Sequence, residues 1–176
     1  MYEKFTFTKL DARSRQLMVQ EITAAGGNGQ LYFSRRFNET GNKGWLGWLL
    51  AAAKEQDEHW LADQLDAARA MTSIEKRDMP KGGPTPVSVP DTAAETMADG
   101  QFNRFYMAAI CCRALEDGVP TVRVYRAKYR GVPRLESQAL VNTTRDADAL
   151  LKELRSKELS LKCDLLKPNS GLSVDY

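Results

Sequence analysis

Apolar and polar positions alternate from Tyr2 to Leu10. Phe5 and Phe7 sit between Lys4, Thr6 and Thr8, and this period of two predicts a strand with one buried face. The period then lengthens. Asp11 can cap a helix over Ala12 to Ala25 that carries Leu17, Met18 and Ile22 near one side, and Gly26-Gly27 stops it. Gln30 to Phe37 reads as a second strand and Thr40 to Lys43 as a polar turn. Trp45, Leu46, Trp48, Leu49 and Leu50 open a strongly apolar helix that ends near Gln56. Asp57 is placed to cap the next helix, Glu58 to Met71, whose Leu61, Leu65 and Ala68 form one buried stripe. These two helices are expected to make a hairpin anchored by Trp45, Trp48 and Trp60.

Residues 79–90 hold four of the seven prolines and two glycines, which predicts an extended loop and excludes a helix. Asp91 reads as an N-cap for a short helix, Ala93 to Ala98, with a kink or break at Gly100. Gln101 to Glu116 continues as helix. From Phe105 to Cys112 every residue is apolar or aromatic, so this helix is expected to be central and covered on several sides, with Phe105, Ala109 and Cys112 inside. Arg104 and Arg113 lie nine positions apart, on opposite sides at 100° per residue, so they cannot share a site. Pro120 starts a strand that runs to about Tyr129, and Leu135 to Val141 fits either helix or strand. Thr144 or Asp146 can cap a last helix, Ala147 to Ser156, with Leu150, Leu151 and Leu154. The tail, residues 159–176, alternates Leu159, Leu161 and Cys163 before a turn at Pro168-Asn169-Ser170-Gly171. No internal repeat interrupts this series. The expectation is a single α+β domain of about five helices with a small mixed or antiparallel sheet.

Composition narrows the class. With 176 residues and 43% apolar content, the chain can bury a core without disulfides or metals. The runs 45–53 and 105–112 are far shorter than the ~20 apolar residues that span a bilayer, so no membrane partner is expected. No signal or transit pattern opens the sequence, and synthesis in a cytoplasm is the expected setting. Three cysteines, two of them adjacent, fit buried thiols rather than bridges. Net charge is +2; residues 1–100 carry 12 basic and 14 acidic side chains, and residues 101–176 carry 13 and 9. That asymmetry is milder than a dedicated nucleic-acid-binding domain shows.

Catalytic patterns are sparse. The single histidine, His59, has Asp63 four residues on, which can orient a general base but more simply gives a surface helix pair. Gly26-Gly27-Asn28-Gly29 follows a helix instead of preceding one, so it reads as a helix stop and not as a phosphate loop. There is no Gly-x-Ser-x-Gly elbow, and none of the eleven lysines has an acid two residues before it, as metal-dependent nucleases arrange. Asp146 and Asp148 face apart on a helix and suit the first-turn dipole better than a metal. The cysteine and histidine spacing makes no zinc site. No catalytic residue, metal or cofactor is assigned.

One stretch carries candidate binding chemistry. Residues 123–134 place Arg123, Tyr125, Arg126, Lys128, Tyr129, Arg130 and Arg134 together with no acid. Cations with interleaved aromatics can contact phosphates and stack bases. Equally, such a strand can protect a sheet edge or pair with an acidic neighbour, for which the helix bearing Asp57, Glu58, Asp63 and Asp66 is a candidate.

Three segments carry a family likeness: 101–106 (QFNRFY), 124–128 (VYRAK) with 133–137 (PRLES), and 167–174 (KPNSGLSV). They resemble small uncharacterised proteins of tailed phages and prophages, mainly over the C-terminal half. The resemblance implies a phage gene product and, more specifically, a component of the virion, made in the host cytoplasm. It brings no catalytic residue. The expected function is therefore a non-enzymatic structural or interaction subunit whose partners are other protein subunits, including copies of itself. The alternative is a nucleic-acid-binding protein that uses residues 123–134.

Overall fold

The computed structural model describes residues 3–129 and 131–176. Its centre is the long helix α4, Ala93–Glu116, and the other elements are arranged around it. Nearly every side chain from Gln101 to Cys111 is buried, as an apolar-all-round helix requires. Phe105 and Ala109 are inside, but Cys112 is only half-buried at the margin. Gly100 does not break α4, which runs for 24 residues from an N-cap at Thr92 rather than Asp91. A helix tolerates one glycine at a cost of about 1 kcal/mol, which the surrounding burial outweighs.

Three helices cover one side. Helix α1, Ala12–Gly27, starts where Asp11 accepts from the Ser14 N–H, and it packs on α4 and α2. Helix α2, Glu39–Glu55, begins six residues before the apolar run. Asn38 caps it by accepting from the Gly41 N–H, so 40–43 form its first turn and not a polar loop. Helix α3, Glu58–Ala67, is capped by Asp57 through the Trp60 N–H and lies on α4. It stops before Met71, which instead makes an isolated bridge with Phe37. Trp45 is fully buried and donates its indole N–H to Tyr32 O at 3.0 Å, while Trp48 and Trp60 pack at the edge of the core.

On another side lies a three-stranded antiparallel sheet in the order β4-β3-β5, formed by Thr144–Asp146, Thr121–Arg126 and Leu172–Asp175. Val122 and Val124 of β3, with Leu172 and Val174 of β5, face the core. Helix α5, Leu135–Leu140, resolves the ambiguous 135–141 segment. Asp146 caps α6, Ala147–Arg155, which turns Leu150, Leu151 and Leu154 against α4. The alternation at 159–163 does not make a strand. Ser156 caps a short helix, α7, Lys157–Lys162, and a 3-10 turn follows at Asp164–Leu166.

Two expected strands are extended chain without a ladder. Residues 3–10 cross the sheet and α4, with, among the described residues, a single backbone–backbone bond from Thr6 N–H to Ala127 O at 2.7 Å, and Phe7 packs on Phe102 and Tyr106. Tyr2 lies outside the described residues. The segment 30–37 is likewise irregular, apart from the bridge at Phe37. Extended chain alternates its side chains whether or not another strand pairs with it.

The largest correction concerns 79–90. All of it but the last two residues belongs to a β-hairpin: β1, Ile74–Met79, pairs antiparallel with β2, Gly83–Ser88, across a turn at Pro80-Lys81-Gly82. Proline is compatible here because of its register. Val89 N–H donates to Ser73 O, so odd-numbered residues turn their backbone groups inward between the strands. Pro84 and Pro86 are even-numbered, and the N–H each lacks would have pointed to the outside.

Candidate functional site

The basic segment 123–134 is built around β3, which is the central strand of its sheet and not an edge. Burial sorts its side chains into three groups. Lys128 is 2% exposed, and its ammonium lies 2.7 Å from Asp99 and 3.3 Å from Glu95, both on the first turns of α4. Arg126 donates to Ser170 O at 2.8 Å and to Ser137 Oγ and Gln138 Oε1 at 3.3 Å, while Arg134 donates to Pro168 O. Tyr125 donates its hydroxyl to Thr6 O at 3.0 Å and receives the Thr8 N–H, and burial raises its phenol pKa. Among the described candidate residues, Arg123, Tyr129 and Arg134 are exposed, at 58% for the Arg123 side chain and 66% for Tyr129. Arg123 also meets Asp175 across the β3–β5 pair. Arg130 lies outside the described residues.

The six described candidate residues therefore do not form one open cationic face. Lys128, Arg126 and Arg134 tie the strand to α4 and to the 167–171 turn, whose Gly171 approaches so closely that a Cβ there would meet Lys128 O at 2.0 Å. The acidic partners come from α4 and β5. The helix with Asp57 and Glu58 instead holds the N-terminal arm, through Lys4 to Asp57 at 2.8 Å and Phe5 N–H to Glu58 Oε1 at 2.8 Å. Such ties were not legible in sequence, because charge pattern does not say which residues a fold brings together.

Beside Lys128 a cleft of about 250 Å³ opens between the start of α4, residues 32–36 and the 160–171 segment. The lining holds one carboxylate, Asp99, with neither histidine nor cysteine among the described residues. Asp99 is engaged by Lys128, and Arg36 at the rim is held by Glu75 through two bonds of 2.7 and 2.9 Å.

Elsewhere, a half-buried His59 and an exposed Asp63 stand 3.8 Å apart on α3, as a helical i,i+4 pair. Burial raises the Cys111 thiol and pushes Cys112 and Cys163 up to about 11, so none is an activated thiolate. Among the described residues no group of three or more His, Cys, Asp or Glu could hold a metal ion. Nor is any helix among them long and apolar enough to cross a membrane. Arg104 is fully buried and donates to Leu154 O, Gln30 O and Gln101 Oε1, with burial lowering its guanidinium to about 10. Arg113, on the other side of α4, binds Asp11 at 2.7 Å and holds that carboxyl below its usual range. Both arginines are structural.

The hairpin β1–β2 is the feature that sequence reasoning missed. Ile74 is 60% and Met79 47% exposed, and of residues 73–88 only Glu75 and Val87 are even half-buried. The strands lie against each other and meet the body mainly at their base, where Arg36 grips Glu75. A two-stranded hairpin alone in water is marginal, so one that projects this way is suited to pairing with something beyond its own chain.

No protein-family model, curated protein or solved structure matches the chain.

Proposed function

We propose that the chain is a non-enzymatic structural or interaction subunit of a larger assembly. The observation that carries this is the projecting hairpin 74–88, a backbone element with an open hydrogen-bonding edge and little contact with its own domain. Such an edge gains far more by pairing than a covered strand would. The tight core and the ion-paired charges around the cleft fit a rigid building block. A virion as the assembly rests on the likeness of segments 101–106, 124–128, 133–137 and 167–174 to phage proteins.

Rate-zonal sedimentation of lysates from cells that make the chain tests the role. The expected result is that the chain travels with large particles. A chain found wholly at the position of a free 19.7 kDa protein would overturn it. So would metal-dependent cleavage of DNA or RNA that the Asp146→Ala or Asp148→Ala substitution abolishes.

A further inference from the structure

The two edges of the hairpin are unlike. On β2 the outward positions are Pro84, Pro86 and Ser88, so two of three lack an N–H to donate. On β1 the outward positions are Ile74, Lys76 and Asp78, which have both N–H and C=O to offer. One edge is closed to pairing and the other is open. Natural sheets close the edges they do not use, so the contrast marks the β1 edge as the one in use.

We propose that the β1 edge pairs antiparallel with β1 of a second copy of this chain, joining two hairpins into a four-stranded sheet about a twofold axis at Lys76. This deepens the assembly role proposed above and rests on it. The charge order selects both partner and register. Outward backbone groups meet only if even residues face even residues, which leaves few registers. With Lys76 opposite its copy, Ile74 faces Asp78, and all three outward residues of each strand are paired. Glu75 then stands opposite Arg77 on both sides of the axis, in the closely spaced pairs where Cα atoms are about 4.5 Å apart. Those four side chains form a square of alternating sign. Each chain already brings one edge of it, since Arg77 lies 2.9 Å from Glu75. A two-residue slip in either direction would set Glu75 against Glu75 or Arg77 against Arg77 at that same close spacing. In the favoured register the one like pair, Lys76 with its copy, falls at the wider spacing of about 5.5 Å, where long side chains can splay apart. The contact is isologous, as closed dimers require.

Sedimentation equilibrium of the purified full chain tests the pairing with variants at one position. Lys76→Pro deletes an outward N–H and no bond between β1 and β2, as Pro84 and Pro86 already do on the other strand. It should stay folded by circular dichroism and become monomeric. Lys76→Thr removes the like-charge pair on the axis and should tighten the dimer about two- to fivefold. Lys76→Cys should form a symmetric intermolecular disulfide on mild oxidation, because Cα atoms in such a pair fall within bridging range, while Lys81→Cys in the turn should not. The pairing is overturned if the wild type stays monomeric at millimolar concentration, if Lys76→Pro dimerises like the wild type, or if Lys76→Cys cross-links no faster than Lys81→Cys. The two proposals fail separately. Particles that form equally well with Lys76→Pro keep the assembly role and remove this pairing. A dimer whose chain never enters larger particles keeps the pairing and removes that role.

Discussion

At Lys128 a basic-looking sequence becomes a structural contact. The ammonium is almost wholly out of water, and Asp99 and Glu95 reach it from α4. Removing one member of a buried pair leaves charge behind in a poor solvent, so Lys128→Met should cost about 3 kcal/mol, the low end for such pairs because both carboxylates keep some water contact. Arg123→Ala, on the same strand but largely exposed, should change stability by no more than about 0.5 kcal/mol. Denaturant unfolding separates the two; equal effects would mean that Lys128 is not held as described. Glu58 gives a pH test. Burial raises its pKa, against the opposing hydrogen bonds from the Phe5 N–H and from its own backbone N–H. Because the folded pKa lies above the unfolded one, the folded chain binds more protons in that window, and this group's contribution to stability falls as pH rises through it. Glu58→Gln keeps the acceptor for Phe5 without the charge. It should melt at or above the wild type at pH 7, and the advantage should vanish once pH drops below about 4, where the unfolded carboxyl is also protonated. A wild type more stable than the variant at pH 7 would contradict this.

Helix packing makes opposite predictions for chemically identical changes. In α2 a Cβ on Gly41 would lie 2.4 Å from Ala70 O and 2.9 Å from the Phe37 ring, whereas a Cβ on Gly47 would touch nothing within 4 Å. Gly47→Ala should therefore stabilise by up to about 1 kcal/mol, the intrinsic helix preference for alanine. Gly41→Ala should destabilise in spite of that preference, and thermal melts of the two variants give the sign directly. In α4, Phe105 is 3% exposed, so Phe105→Ala should cost about 3–5 kcal/mol, against little for Lys152→Ala on the exposed side of α6. A Phe105→Ala protein that melts with the wild type would mean that α4 is not the core. Much of the helical frame was legible because Asp11, Asp57 and Asp146 precede periodic apolar runs and do cap them. Asn38 was hidden by the polar first turn of α2. The strands were less legible. Phe5 and Phe7 alternate because an extended arm lays Phe7 on α4 and stacks Phe5 on Phe7, and nothing in that pattern distinguishes an arm from a ladder. Four prolines concealed β2 because proline composition, read without register, argues against any pairing.

For the whole molecule, an α+β domain could be read from the count and period of its elements, and the fold agrees. Its charge balance was legible in amount but not in use. The C-terminal excess of basic residues is spent largely on internal ties, from Arg126 to the 167–171 turn and from Lys128 to α4. What remained outside the sequence pattern was the hairpin 74–88, the part of the fold least occupied with its own domain. If assembly is what the chain does, that hairpin is dispensable for folding and indispensable for association. The most direct measurement replaces residues 74–88 with a short glycine linker and compares variant and wild type by rate-zonal sedimentation, with circular dichroism as the control for folding. The account predicts a folded variant that stays at the position of a free subunit while the wild type moves with large particles. A folded variant that still enters the particles would contradict it.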